Sequence, residues 1–99
     1  MNVQRTRDQG TLQMKIAGRV DSAAAPRLEA EIRESLEGVT ELTLDFSEVE
    51  YISSAGLRVL LAAQKKMASQ GSLTVSHVSE DVMAIFDVTG FSGILNISD

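Results

Sequence analysis

Two adjacent hydroxyls, Ser53 and Ser54, followed by Ala55 and Gly56, carry the plainest chemical signal in this chain. The run around them, LTLDFSEVEYISSAGLRVLL from Leu42 to Leu61, reads as a buried strand, a short polar connection and a helix that begins at the serines. Serines so placed lie at the positive end of a helix, beside backbone N–H groups without intrahelical acceptors. A phosphate suits such a position, because N–H groups and dipole both favour an anion. The chemistry the pattern fits is therefore phosphorylation of a serine. N-capping is the plainer role of the same residues, since serine is a preferred cap. The two roles are compatible: one serine can cap while the other is modified.

Catalytic chemistry finds little support. Ser54-Ala55-Gly56 is half of a Gly-x-Ser-x-Gly nucleophile elbow, but Ile52 stands where the first glycine belongs. The single imidazole, His77, falls at a strand end, and cysteine is absent, which removes thiol nucleophiles, disulfides and thiolate metal sites. Neither a metal-ligand spacing nor a Gly-rich phosphate loop occurs. Glu29, Glu31 and Glu34 belong to a solvated helix face rather than an acid/base pair. The expectation is a protein without cofactor or metal that is not an enzyme.

Size and charge narrow the partners. The 99 residues fit one domain spanning residues 1–99, with a single modest core. The formal net charge is −5, and nine basic residues are scattered among fourteen acids. The only basic pair, Lys65-Lys66, sits late in a helix, where cations suit the dipole. Nucleic acid is thus not expected as a partner, because its binding needs a clustered basic face. No apolar run approaches the roughly 20 residues of a membrane span, and the polar start MNVQRTRDQG lacks a secretory core. A cytoplasmic location without membrane association is expected. The lack of an obvious exposed apolar stripe is compatible with a monomer when free.

The elements that position the serines follow from periodicity. Leu12, Met14 and Ile16 alternate with Gln13, Lys15 and Ala17 as a half-buried strand. Asp8-Gln9-Gly10 turns it back onto a short edge strand around Val3, and Gly18 is read as its end. A helix follows from about Ala25 to Glu37: Leu28, Ile32 and Leu36 form its apolar stripe, Pro26 marks its first turn and Gly38 its stop. Leu42, Leu44 and Phe46 make the next strand, and Asp45 is expected as a structural polar group at a strand end. The helix from Ser54 carries Leu57, Leu60, Leu61, Gln64, Met67 and Ala68 at helical spacing and ends near Gln70-Gly71. Leu73, Val75 and His77 suggest a further strand. Ser79 caps a short helix with Glu80 and Asp81 in its first turn, Thr89-Gly90 ends it, and Ile94 to Ile97 suggest a last strand. Strands and helices alternate from Leu42 onward. The fold class is α/β, a mixed sheet of four to five strands with helices packed mainly on one face.

Several stretches together resemble the STAS domain of bacterial anti-sigma factor antagonists. Gly18-Arg19-Val20-Asp21 is similar to the family's Gly-x-hydrophobic-Asp turn after the second strand. Leu44-Asp45-Phe46-Ser47 and Val49-Glu50-Tyr51-Ile52 are similar to its strand and following loop. Ser54-Ala55-Gly56-Leu57 resembles the helix start, and Ile85-Phe86-Asp87-Val88-Thr89-Gly90-Phe91 resembles a segment near the end. The resemblance spans nearly the whole chain in the right order.

That resemblance implies a partner-switching mechanism. The antagonist binds an anti-sigma factor that is also a serine kinase of the histidine-kinase-like ATPase fold, and so frees the sigma factor or other target. Phosphorylation of the switch serine, which falls on Ser54, weakens the capture, and a serine phosphatase restores it. Where the family often has Asp before that serine, this chain has Ser53, a second hydroxyl open to modification, although a cap or turn is the stronger reading of that residue. The partner-binding residues are expected to be Asp21, Ser22, Ser53, Ser54, Gly56 and Arg58, with Tyr51, Ala24 and Lys65 around them. Asp21 and Ser22 are equally ordinary turn formers, and for Arg58, one turn past Ser54, a solvated arginine is the stronger reading. The alternative function is a STAS-type ligand- or nucleotide-responsive interaction module without a phospho-switch.

Overall fold

Alternation in the strands decides the architecture. The structure, a computed structural model, describes residues 1–98. Its elements run β1 (Asn2–Asp8), β2 (Thr11–Val20), α1 (Ala25–Ser35), β3 (Glu41–Ile52), α2 (Ser54–Ala68), β4 (Ser72–Ser76), α3 (Glu80–Thr89), a 3-10 turn (Phe91–Gly93) and β5 (Asn96–Ser98). The five strands form one sheet in the order β1-β2-β3-β4-β5, with β1 antiparallel to β2 and the other pairs parallel. In register, Leu12, Leu42 and Leu73 form one row and Met14, Leu44 and Val75 the next, all buried. Residues of the other parity, Gln13, Thr43 and Thr74 followed by Lys15 and Asp45, face away from that core.

Helices cover only the apolar side. The links β2–α1–β3, β3–α2–β4 and β4–α3–β5 each step to the adjacent parallel strand in the same direction. Crossovers of a single hand therefore put all three helices on one face. Leu28 and Ile32 of α1, Leu60 and Met67 of α2, and Val82 and Phe86 of α3 complete the core, with the rings of Phe46 and Phe86 6.2 Å apart. The expected α/β sheet with one-sided helices is what the chain forms.

Two boundaries differ from the sequence reading, and both concern the site. Gly18 does not end β2, which continues to Val20; the glycine instead takes φ +98 within the strand. The stretch Val49–Ile52, read as loop, is the second half of β3. Periodicity concealed this because β3 carries two extra residues. Ile16 faces both Phe46 and Ser47, and Glu50 is inserted between the pairs Gly18–Val49 and Arg19–Tyr51. Each insertion resets the parity, so Val49 and Ile52 return to the core. Smaller shifts occur elsewhere. Helix α1 stops at Ser35, β4 ends before His77, which adopts φ +56, and β5 begins only at Asn96.

Asp45 lies at the first insertion, inside β3 rather than at its end. Its Oδ1 accepts the Ser47 N–H at 2.9 Å and lies 3.6 Å from His77 Nδ1, with the carboxylate side chain 13% exposed. Burial opposes ionisation. The Ser47 N–H and hydroxyl, with the charges of His77 and Lys15, outweigh it and hold the carboxyl below its usual value. The turn from α2 into β4 is equally tight, since an added Cβ on Gly71 would lie 1.8 Å from the Thr40 carbonyl oxygen.

Two predictions test these points. Gly71→Ala should lower unfolding free energy by about 2–3 kcal/mol in urea denaturation, whereas Gly93→Ala, which meets nothing within 4 Å, should stay within about 0.5 kcal/mol. Because the folded-state pKa of Asp45 is depressed, its contribution is complete above about pH 4 and fades as pH falls through the folded value. Urea titrations from pH 7 to 3 should show wild type losing more stability than Asp45→Asn, which keeps the oxygen that accepts from Ser47.

Candidate functional site

Parallel strands bring the candidate residues to one end of the sheet. Asp21 follows the C-terminal end of β2 and Ser53 that of β3, the side where α/β sheets place their functional loops. The two ends are stitched together by Ser53 N–H, which donates to the Val20 carbonyl at 2.8 Å. Asp21 shapes the entry to α1. Its Oδ1 accepts from Ala24 N–H at 2.9 Å, and its carbonyl accepts from Ala24 and Ala25. This substitutes for a capping side chain that Ala24 lacks.

The two serines have different environments. Ser53 is 7% exposed and extended, and its Oγ accepts from Gly56 N–H at 3.2 Å. It is the N-cap of α2. The Ser53 hydroxyl is turned inward and occupied by the helix, in line with the cap reading of this residue and away from the partner surface on which it was also placed. Ser54 is the first residue of α2 and is exposed. No carboxylate occupies the first turn of this helix, so its positive end is uncompensated by its own side chains.

Gly56 determines how closely this helix approaches the strands. A Cβ there would lie 2.7 Å from Ile52 Cγ1, 2.9 Å from Val20 Cγ1 and 3.1 Å from the Val20 carbonyl oxygen. Only a residue without a side chain lets the first turn of α2 rest on both strand ends. Gly56 is therefore buried beneath the site rather than presented on it. The outward residues are Ser54, Ser22 and Arg58. Ser22 and Arg58 line one depression between α1 and α2, together with Ala25, Pro26, Glu29, Ala55 and Val59. Lys65 stands apart, eleven residues and roughly 16 Å along the helix axis from Ser54. His77 is exposed and faces Asp45, not the serines.

One pair escaped the sequence reading. The Arg19 guanidinium lies over the Tyr51 ring, 4.5 Å from its centroid, as cross-strand neighbours at the tips of β2 and β3. Their pairing depends on the extra residue Glu50, which neither alternation nor motif reveals. The one usable signal was that each immediately precedes a buried strand-end residue, Val20 and Ile52.

Known proteins share this fold. A family model described as Mlab, STAS domain, matches residues 2–96. The anti-sigma-B factor antagonist of Bacillus subtilis is 32% identical over 99 residues, covering 99% of this chain and 91% of that protein. An anti-sigma factor antagonist from Mycobacterium paratuberculosis superposes with a TM-score of 0.86 at 23% identity, over 97% of this chain and 83% of the other. The Bacillus cell fate determinant SpoIIAA in its phosphorylated form gives a TM-score of 0.75 at 18% identity, over 99% of this chain and 92% of the other.

The separation of the serines is open to a stability measurement. Ser53→Ala should lower unfolding free energy by about 1 kcal/mol through loss of the cap, while Ser54→Ala should stay within about 0.5 kcal/mol. Equal losses for both would contradict the assignment of the cap.

Proposed function

The chain belongs to the STAS domain family, and from that membership we propose that it is an anti-sigma factor antagonist switched by phosphorylation of Ser54. The observation that carries the reading is the division of labour at the start of α2: a buried serine caps the helix, and its exposed neighbour is left over. In its unmodified form the protein captures an anti-sigma factor that is also a serine kinase of the histidine-kinase-like ATPase fold. The sigma factor, or another target, is thereby released. The contact surface comprises Asp21, Ser22, Ser54 and Arg58. The protein works as a non-catalytic regulator in the cytoplasm, and a serine phosphatase reverses the modification.

Electrostatics explains how one phosphate can switch binding without unfolding the domain. Phosphoserine carries about −1.5 to −2 charges at neutral pH. On Ser54 those charges lie at the positive end of α2, near backbone N–H groups that have no intrahelical acceptor. The antagonist therefore tolerates its own phosphate. A docked partner must strip water from the dianion or set its own acidic groups against it. A penalty of about 3 kcal/mol weakens binding more than a hundredfold, which suffices for a switch. Ser53 has no comparable freedom, because modifying it would remove the cap and force a dianion into a nearly closed space.

Binding to purified ATPase-fold anti-sigma factors, measured with and without ATP, tests the reading. Wild type should bind saturably and acquire phosphate on the peptide containing Ser54 when ATP is present. Ser54→Ala should bind but accept no phosphate there, and Ser54→Asp should bind about a hundredfold more weakly. Ser54→Asp binding as tightly as wild type would refute the charge switch.

A further inference from the structure

Arg19 differs from most other arginines of the chain. Arg5, Arg7, Arg27 and Arg33 each donate to an oxygen elsewhere in the protein. Arg19 is exposed, and among the described residues neither a carboxylate within ion-pair distance nor a hydrogen-bond acceptor engages it. Its one contact of note is the face of Tyr51, which is itself half-buried. Stacking of this kind holds the guanidinium plane while leaving its N–H edge free, so less freedom is lost when a ligand arrives.

The pair also sits beside the switch. Arg19 immediately precedes Val20, whose carbonyl binds Ser53 N–H, and Tyr51 lies two residues before Ser53. Both project to the helix-free side of the sheet, at the end that carries Ser54. Acidic residues Glu48 and Glu50 precede Tyr51 on β3, and Glu48 is already paired with Lys15 at 2.8 Å. Arg19 is thus a fixed, uncommitted cation on a chain whose net charge is −5. The Gly-x-hydrophobic-Asp pattern leaves its position open, so the turn itself does not demand arginine there.

We propose that Arg19, held in place by Tyr51, is a specificity-determining contact that binds a carboxylate of the anti-sigma partner beside Ser54. The proposal rests on the functional reading above and extends the contact surface from the helix side of the site onto the strand tips. A planar guanidinium presents paired donors that match a carboxylate, which an ammonium does not. Arginine and tyrosine are also the residue types that most often dominate binding energy at interfaces. A partner with an acid at the matching position is thereby selected, and one with a base there is repelled.

The test uses the anti-sigma factor kinase that captures the wild-type chain, titrated without ATP at two salt concentrations. Arg19→Ala should weaken binding about tenfold and Arg19→Glu about a hundredfold. Arg19→Lys should fall between wild type and Arg19→Ala, Tyr51→Phe should stay within about twofold, and Tyr51→Leu should lose affinity. The Arg19 variants should keep the wild-type melting temperature within about 2 °C, as expected for an exposed side chain, and Arg19→Ala should show a shallower salt dependence. Wild-type affinity for Arg19→Glu would overturn the inference while leaving the antagonist reading intact. Failure of the wild type to bind any ATPase-fold anti-sigma factor would overturn the reading, and the inference with it.

Discussion

The site depends above all on the seating of the first turn of α2 on the ends of β2 and β3. Ser53 N–H reaches the Val20 carbonyl, and Gly56 sits so near Val20 and Ile52 that no side chain fits between. Everything exposed at the site inherits its position from that seat. Ser53 is drawn in and must cap, which turns the next residue outward. Asp21, one residue beyond Val20, is fixed at the same level and organises the entry to α1. The functional surface is consequently made of short turns, yet the strands beneath hold it rigidly.

This arrangement reconciles two demands on a phospho-switch. The modified residue must be accessible, and its modification must leave the fold standing. Ser54, the residue proposed as the switch, is outside the core at a helix end that favours negative charge, so both would be met by position alone. The Bacillus subtilis relative is named an anti-sigma-B factor antagonist, and the fold is shared with SpoIIAA. No moving part is needed within the domain.

Much of this was legible in the residues, for identifiable reasons. Strict alternation at Leu12–Met14–Ile16 and the fourfold spacing of Leu28, Ile32 and Leu36 are signals of local geometry, and they survived folding intact. The Ser-Ala-Gly helix start was legible because capping and close approach both restrict residue type. The second half of β3 was hidden. Its two insertions break the period of two, so the polar run Ser47-Glu48 and the isolated Glu50 imitate a loop. The Arg19–Tyr51 contact was hidden for the same cause, since cross-strand partners are defined by register and the insertions shift it. Ser53 was the better candidate for the cap by its place just ahead of the helix, and its Oγ does accept from Gly56 N–H.

The one-sided layering of helices has a consequence for descent. Side chains on the bare face of the sheet, Arg19 and Lys15 among them, are not members of the core, and replacing such residues disturbs stability little. Recognition can therefore drift while the scaffold stays constant. Duplicated copies of such a gene have a route to insulated circuits within one cell, each with its own partner, without any copy having to reinvent a hydrophobic interior.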